Sequence, residues 1–152
     1  MPSAGASGSP PPERPTLFVD RNSGGRSFKA MLESAGVPVV LHDDVFQRTA
    51  TDEEWITGVG KKGWIAVTGD NAITRDPLAL HHLSRSKLHL FVLLGLNGVA
   101  PSAKAESITR AYDKMAELAR NYAPPGIWRI GRDGVARAFD FRKILTRMQR
   151  RR

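Results

Sequence analysis

Hydrophobic positions fall along this chain in two alternating rhythms. Short continuous apolar runs read as buried strands: Thr16-Leu17-Phe18-Val19, Val37 to Leu41, Gly63 to Thr68 and Leu88 to Leu94. Between them lie segments with apolar residues at helical spacing. Asn22 to Ala35 carries Phe28, Met31, Leu32 and Ala35 on one face, and Gly36 stops it. Thr51 to Val59 predicts a short helix, opened by the capping box Thr51-Asp52-Glu53-Glu54. Asp70 to Leu83 predicts a third helix, with Pro77 near its first turns or breaking it. Ala103 to Tyr122 is a longer amphipathic helix, ended by Pro124-Pro125. Ile127 to Ile130 and Val135 to Phe139 read as a hairpin turned at Asp133-Gly134. Strands that alternate with helices imply parallel pairing, and continuous apolar strands imply a sheet covered on both faces. The expected fold class is α/β: a three-layer α/β/α sandwich around a mainly parallel sheet of four to five strands, plus a C-terminal helix and hairpin.

Length and composition narrow this picture. At 152 residues the chain suits one folded domain. The absence of cysteine excludes disulfides, thiolate zinc sites, iron–sulfur clusters and a Cys nucleophile. No apolar run approaches the ~18 residues that span a bilayer, and no signal-peptide pattern opens the chain, so a cytoplasmic protein is expected. Residues 1–14 are rich in Ser, Ala, Gly and Pro and read as a disordered leader. Residues 15–141 read as the folded domain. Residues 142–152 read as a basic tail.

Six units of the net +8 come from Arg142, Lys143, Arg147, Arg150, Arg151 and Arg152, with no acid among them. The rest of the chain is nearly neutral. Such a tail suits a polyanion or an acidic partner.

The acids carry the chemistry. Nine of the 15 lie between Asp20 and Asp76. Asp20 ends the first strand, Asp43 and Asp44 end the second, Asp52 opens the next helix and Asp70 follows the third strand. In a parallel sheet these positions share one edge, where ligands bind beyond the strand carboxyl ends. Carboxylates converging there repel one another unless a positive charge intervenes. Mg²⁺ or Mn²⁺ would supply it, and such ions on acidic sites support phosphodiester hydrolysis. Each acid also has a structural reading. Asp20 and Asp70 suit helix caps, Asp52 and Glu53 suit the helix dipole, and Asp43-Asp44 suits a solvated loop.

Four segments then point to a family. They are Phe18-Val19-Asp20-Arg21-Asn22, Val39-Val40-Leu41-His42-Asp43-Asp44, Thr51-Asp52-Glu53-Glu54-Trp55-Ile56 and Gly63-Trp64-Ile65-Ala66-Val67-Thr68-Gly69-Asp70. Their order and spacing resemble the PIN-like domain superfamily over about residues 16–95, with a look of the compact bacterial VapC-type toxins. The resemblance implies a parallel sheet flanked by helices, Mg²⁺ or Mn²⁺ on the acids, and cleavage of RNA. It carries metal binding and catalysis onto Asp20, Asp52 and Asp70. Asp43 takes the acid after the second strand, with Asp44 as its alternate. Glu53 stands in a second tier, with Asn71 orienting a water or phosphate. It also implies a toxin–antitoxin pair with a cognate antitoxin, and homodimers are common in the family.

Cations could hold RNA phosphates: Arg21, Lys61, Lys62 and Arg75 near the acids, and Arg150, Arg151 and Arg152 in the tail. Lys61-Lys62 also suits the C-terminal dipole of a helix. Trp55 and Trp64 read as core, whereas Trp128, beside Arg129 and Arg132, is the candidate for base stacking. His81 and His82 are adjacent and cannot chelate as an i,i+4 pair, so a site shared with His42 and His89 is disfavoured. Asn22-Ser23-Gly24-Gly25-Arg26 lacks the Gly-Lys-Ser/Thr ending of a P-loop. A receiver domain would need paired acids after the first strand, where only Asp20 stands. Two functions remain: a metal-dependent ribonuclease, and a non-catalytic PIN-like module that binds nucleic acid or protein.

Overall fold

The computed structural model describes residues 14–20, 25–95, 98–131 and 133–150. The expected leader, apart from Arg14, lies outside these residues, as do Arg21, Arg151 and Arg152. Arg14 is anchored, its Nε and Nη2 donating to the Gly36 carbonyl at 2.9 and 2.6 Å.

In chain order the elements are β1 (Leu17–Val19), α1 (Arg26–Ser34), β2 (Val39–Leu41), α2 (His42–Val45), α3 (Asp52–Lys61), β3 (Ile65–Thr68), a 3-10 turn (Asn71–Arg75), α4 (Pro77–Ser84), β4 (His89–Leu93), α5 (Pro101–Asn121), β5 (Gly126–Ile130), β6 (Ala136–Ala138) and α6 (Phe141–Arg150). One sheet runs β2-β1-β3-β4-β5-β6. The first five of these strands are parallel, and β6 returns antiparallel to β5. The α/β/α expectation holds, with one difference. The hairpin is not an appendage, because β5 pairs with β4 from Gly126 to Ile130 and raises the sheet to six strands.

Alternation along each strand feeds two cores. Leu17, Val19, Val67, Phe91, Trp128 and Ile130 face α1 and α5. Phe18, Ala66, Leu90, Val92 and Ile127 face α3, α4 and Phe141 of α6. Tyr112 on α5 donates its hydroxyl to the Pro15 carbonyl at 2.6 Å, which ties the long helix to the start of β1. Burial pushes its phenol up to about 12.

In one segment an alternative left open by the sequence is decided, and another segment departs from the sequence reading. The helix expected over 70–83 is broken at Asp76-Pro77. Proline has no N–H to give and its ring clashes with the carbonyl four residues back. The chain therefore makes a 3-10 turn and restarts, with Asp76 Oδ1 accepting from Leu78 N at 3.0 Å and Ala79 N at 3.3 Å. The expected basic tail is α6. Phe141 is buried and Ile144 and Leu145 pack on the core beneath it, while Arg142, Lys143, Arg147 and Arg150 face outward. Its apolar residues recur at helical spacing, a signal masked by the density of cations.

Candidate active site

Strand order reverses between β1 and β3, since β2 lies on one side and β4 on the other. In open parallel sheets such a switch point opens a crevice at the carboxyl edge. Here it holds a cleft of about 340 Å³ lined by Asp20, His42, Asp52, Trp55, Thr68, Asp70, Ile73, Arg75 and Asp76, with Ala50 and Ala72.

Each acid is positioned by a local bond. Asp20 leaves β1 with its N–H on the Val67 carbonyl at 3.4 Å. Its Oδ2 accepts the Thr68 hydroxyl at 2.6 Å, and Thr68 Oγ1 in turn accepts the Asp70 N–H at 3.0 Å. Thr68 thus couples the Asp20 carboxylate at the end of β1 to the Asp70 backbone after β3. Asp70 Oδ1 accepts from Ala72 N at 2.9 Å and starts the 3-10 turn. Asp52 opens α3, where Thr51 and Glu54 form the expected capping box. Its Oδ1 accepts the Trp55 indole N–H at 3.0 Å. Trp55 stacks on Phe18 at 5.6 Å, so the cleft wall is fixed to the core.

The other expected site residues distribute as follows. Asp43 is outside the lining; its Oδ1 lies 3.0 Å from His42 Nδ1, and it is His42 that reaches the cleft. Asp44 is also outside. It bridges Arg26 at 2.8 Å and Lys29 at 3.6 Å, joining α2 to α1. Burial raises its pKa, but Arg26, the Leu41 N–H and Lys29 outweigh this and hold the carboxyl below its ordinary value. Glu53 points away toward His82 at 4.0 Å. Asn71 is outside the lining; its backbone carbonyl accepts the Thr74 hydroxyl at 2.7 Å. Arg75 is in place on the rim.

Lys61 and Lys62 are not near the acids. Ten residues of α3 carry the chain about 15 Å from Asp52 to the opposite end of the sheet, and Lys62 rests over the Trp64 ring. Trp128 is only 8% exposed and stacks on Phe91, so it cannot offer a face to a base. Parallel pairing of β5 turned its ring inward, which the hairpin reading could not show. Arg150 ends α6 on the exposed side.

Asp76, His42 and Thr68 are lining residues that the sequence reading did not assign to the site. Asp-Pro before a helix announced a cap at 76, and Thr68 stands in the Thr-x-Asp motif itself.

A family model described as PIN like domain matches residues 15–95. The chain belongs to the PIN-like domain family. No curated protein and no solved structure matches the chain. All four cleft acids of this PIN-like domain lie inside the matched stretch, whereas α5, β5, β6 and α6 lie outside it.

The family implies a divalent cation. Four carboxylates lining one cleft are hard oxygen donors of the kind Mg²⁺ and Mn²⁺ take. Among the described residues, no three His, Asp or Glu side chains stand close enough together to cage an ion. Mg²⁺ usually binds through one or two carboxylates and keeps several waters, so this open donor set fits it.

Proposed function

We propose that this PIN-like domain is a metal-dependent endoribonuclease that hydrolyses RNA phosphodiester bonds. The observation that carries the reading is the convergence of Asp20, Asp52, Asp70 and Asp76 on one cleft at the switch point of the sheet. One or two of Asp20, Asp52 and Asp70 would hold Mg²⁺ or Mn²⁺ at a time, with waters completing its shell. Bound there, the ion supplies a Lewis acid and a water of lowered pKa for attack on phosphorus. Thr68 keeps the Asp20 and Asp70 ends of the site in fixed relation. Arg75 on the rim draws the phosphate toward the acids. Trp55 and Ile73 give the cleft an apolar wall that limits water. The exposed cations of α6 add affinity for RNA that falls with salt. The finer reading, a toxin controlled by a cognate antitoxin, rests on the likeness of the four motifs to VapC-type toxins. An antitoxin would act by covering this cleft.

A second reading, a binding module without turnover, is favoured by the lack of a three-acid cage among the described residues. The deciding experiment is cleavage of an end-labelled mixed-sequence RNA in Mn²⁺, in EDTA, and by Asp20→Asn/Asp70→Asn. The expected result is cutting that needs metal and drops by about 10²-fold or more in the double variant. RNA bound but uncut in Mn²⁺ would favour the binding module. Equal cutting by the double variant would remove the acids from the mechanism.

A further inference from the structure

One row of residues crosses the sheet at the height of the cleft. Register pairs Thr68 of β3 with Val92 of β4, Val92 with Arg129 of β5, and Arg129 with Arg137 of β6. Side chains paired in register share a face, and strands lie about 4.8 Å apart. Arg129 therefore stands on the face of Thr68, roughly 10 Å from it across the sheet, and Arg137 stands one strand further.

The two arginines are directly opposed. Like charges at such a position are destabilising unless an anion joins them. Arg129 is half-buried and braced: its Nη2 donates to Thr74 Oγ1 at 3.4 Å and its Cζ lies 4.4 Å over the Phe139 ring. Thr74 belongs to the same 3-10 turn that lines the cleft with Ile73 and Arg75. Among the described residues no carboxylate lies within 4 Å of Arg129, and its buried Nε has no acceptor. Arg137 has Asp133 at 3.7 Å, with both side chains more than half exposed. The buried Nε is closed to solvent, but the half-buried guanidinium as a whole carries a charge that no carboxylate offsets and that an anion shared with Arg137 would. Planar guanidinium pairs match phosphate oxygens better than any other anion-binding side chain.

We infer that Arg129 and Arg137 form a phosphate seat beside the acidic cleft, which holds the RNA backbone next to the phosphodiester in the cleft. The inference rests on the ribonuclease reading for the identity of the strand. The seat lies beyond the stretch that matches the family model. It gives the cleft a direction: the strand runs from the acids at β1 and β3 toward β6.

The test is anisotropy of a fluorescent single-stranded RNA oligomer in EDTA, across a range of salt, for the full chain and for Arg129→Gln and Arg137→Gln. Melting curves accompany each. Arg137 is exposed, so its variant keeps the fold even where loss of Arg129 does not. Each substitution is expected to weaken binding by about 10-fold at low salt and to lower the salt slope by about one phosphate. In Mn²⁺, Arg137→Gln is expected to raise KM with kcat unchanged. Folded variants that bind with the parent affinity and slope overturn the seat, even if cutting is intact. A parent protein that never cuts, yet loses RNA binding with each arginine, overturns the ribonuclease reading and supports the seat. A parent that binds no RNA overturns both.

Discussion

Along the carboxyl edge, the β1–β3 side presents Asp20, Asp52 and Asp70, and the β5–β6 side presents Arg129 and Arg137. Each of those three acids is held by a hydrogen bond from its own neighbourhood: the Thr68 hydroxyl, the Trp55 indole and the Ala72 N–H. The cations of the other side, together with Arg142, Lys143, Arg147 and Arg150 of α6, form no ion pair with a carboxylate among the described residues except Arg137 with Asp133. Fixed acids suit chemistry, because a site gains most from groups that need no reorganisation. Cations with little carboxylate pairing suit affinity, because they exchange counterions for phosphates. Changes on the acid side should therefore act on rate, and changes on the basic side on binding.

The largest effect on stability is expected where the basic side is anchored. Phe141 is 2% exposed and seats α6 in the core shared with α3 and α4. Phe141→Ala should cost about 3–5 kcal/mol, read in a denaturant titration. An unchanged midpoint would mean that the α6 cations belong to a loose tail, and the comparison of two built sides would break.

Next is the link between the acids. Thr68→Val keeps the side-chain shape but removes the hydroxyl that donates to Asp20 and accepts from Asp70. Hydrogen bonds to charged groups are worth about 1.5–3 kcal/mol, so a loss near 2 kcal/mol is expected. Steady-state kinetics should show kcat falling with KM nearly constant. A rise in KM alone would place Thr68 on the binding side and blur the division. Thr51→Ala, which removes the cap of the helix that starts with Asp52, should cost about 1 kcal/mol. A stability loss of that size with unchanged kcat would show that cap and carboxylate act separately.

Much of the acid side was legible in the sequence because it is local. A short apolar run ending in Asp, a capping box and a Thr-x-Asp turn each specify their own geometry within a few residues. Asp20, Asp52 and Asp70 meet only because parallel strands end on one edge, and the alternation of strands and helices announced that. The basic side is long-range. Arg129 and Arg137 become neighbours through the β5–β6 register, and they reach the row of Thr68 only because β5 joins β4. Nothing within a few residues of Trp128 shows that parallel pairing turns its ring into the core. Asp43 was misplaced for a related reason. Helix α2 starts directly after β2, and its first residue, His42, takes the inward position.

The smallest effect tests the seam between the two sides. His89 of β4 donates from Nε2 to the Tyr122 carbonyl at 3.0 Å, and its Nδ1 accepts the Trp128 indole N–H at 3.3 Å. Both nitrogens are used by the neutral ring, in one tautomer. A second proton would have to displace the indole bond. Burial pushes the His89 pKa below its ordinary value, against a smaller opposite effect of the Tyr122 carbonyl. Between the lowered folded value and the unfolded value near 6.5, the unfolded chain binds more protons. The stabilising contribution is therefore complete above about pH 6.5 and is lost as pH falls through the folded value. Melting temperature should decline over that window. Trp128→Phe removes the indole donor and frees Nδ1 to take a proton, so its decline should be shallower than that of the parent, whatever the other histidines contribute to both. Parallel declines in the two proteins would show that the seam is held by apolar packing alone. A shallower one would show that a neutral histidine locks β4, the last strand of the matched stretch, to β5, the first strand beyond it.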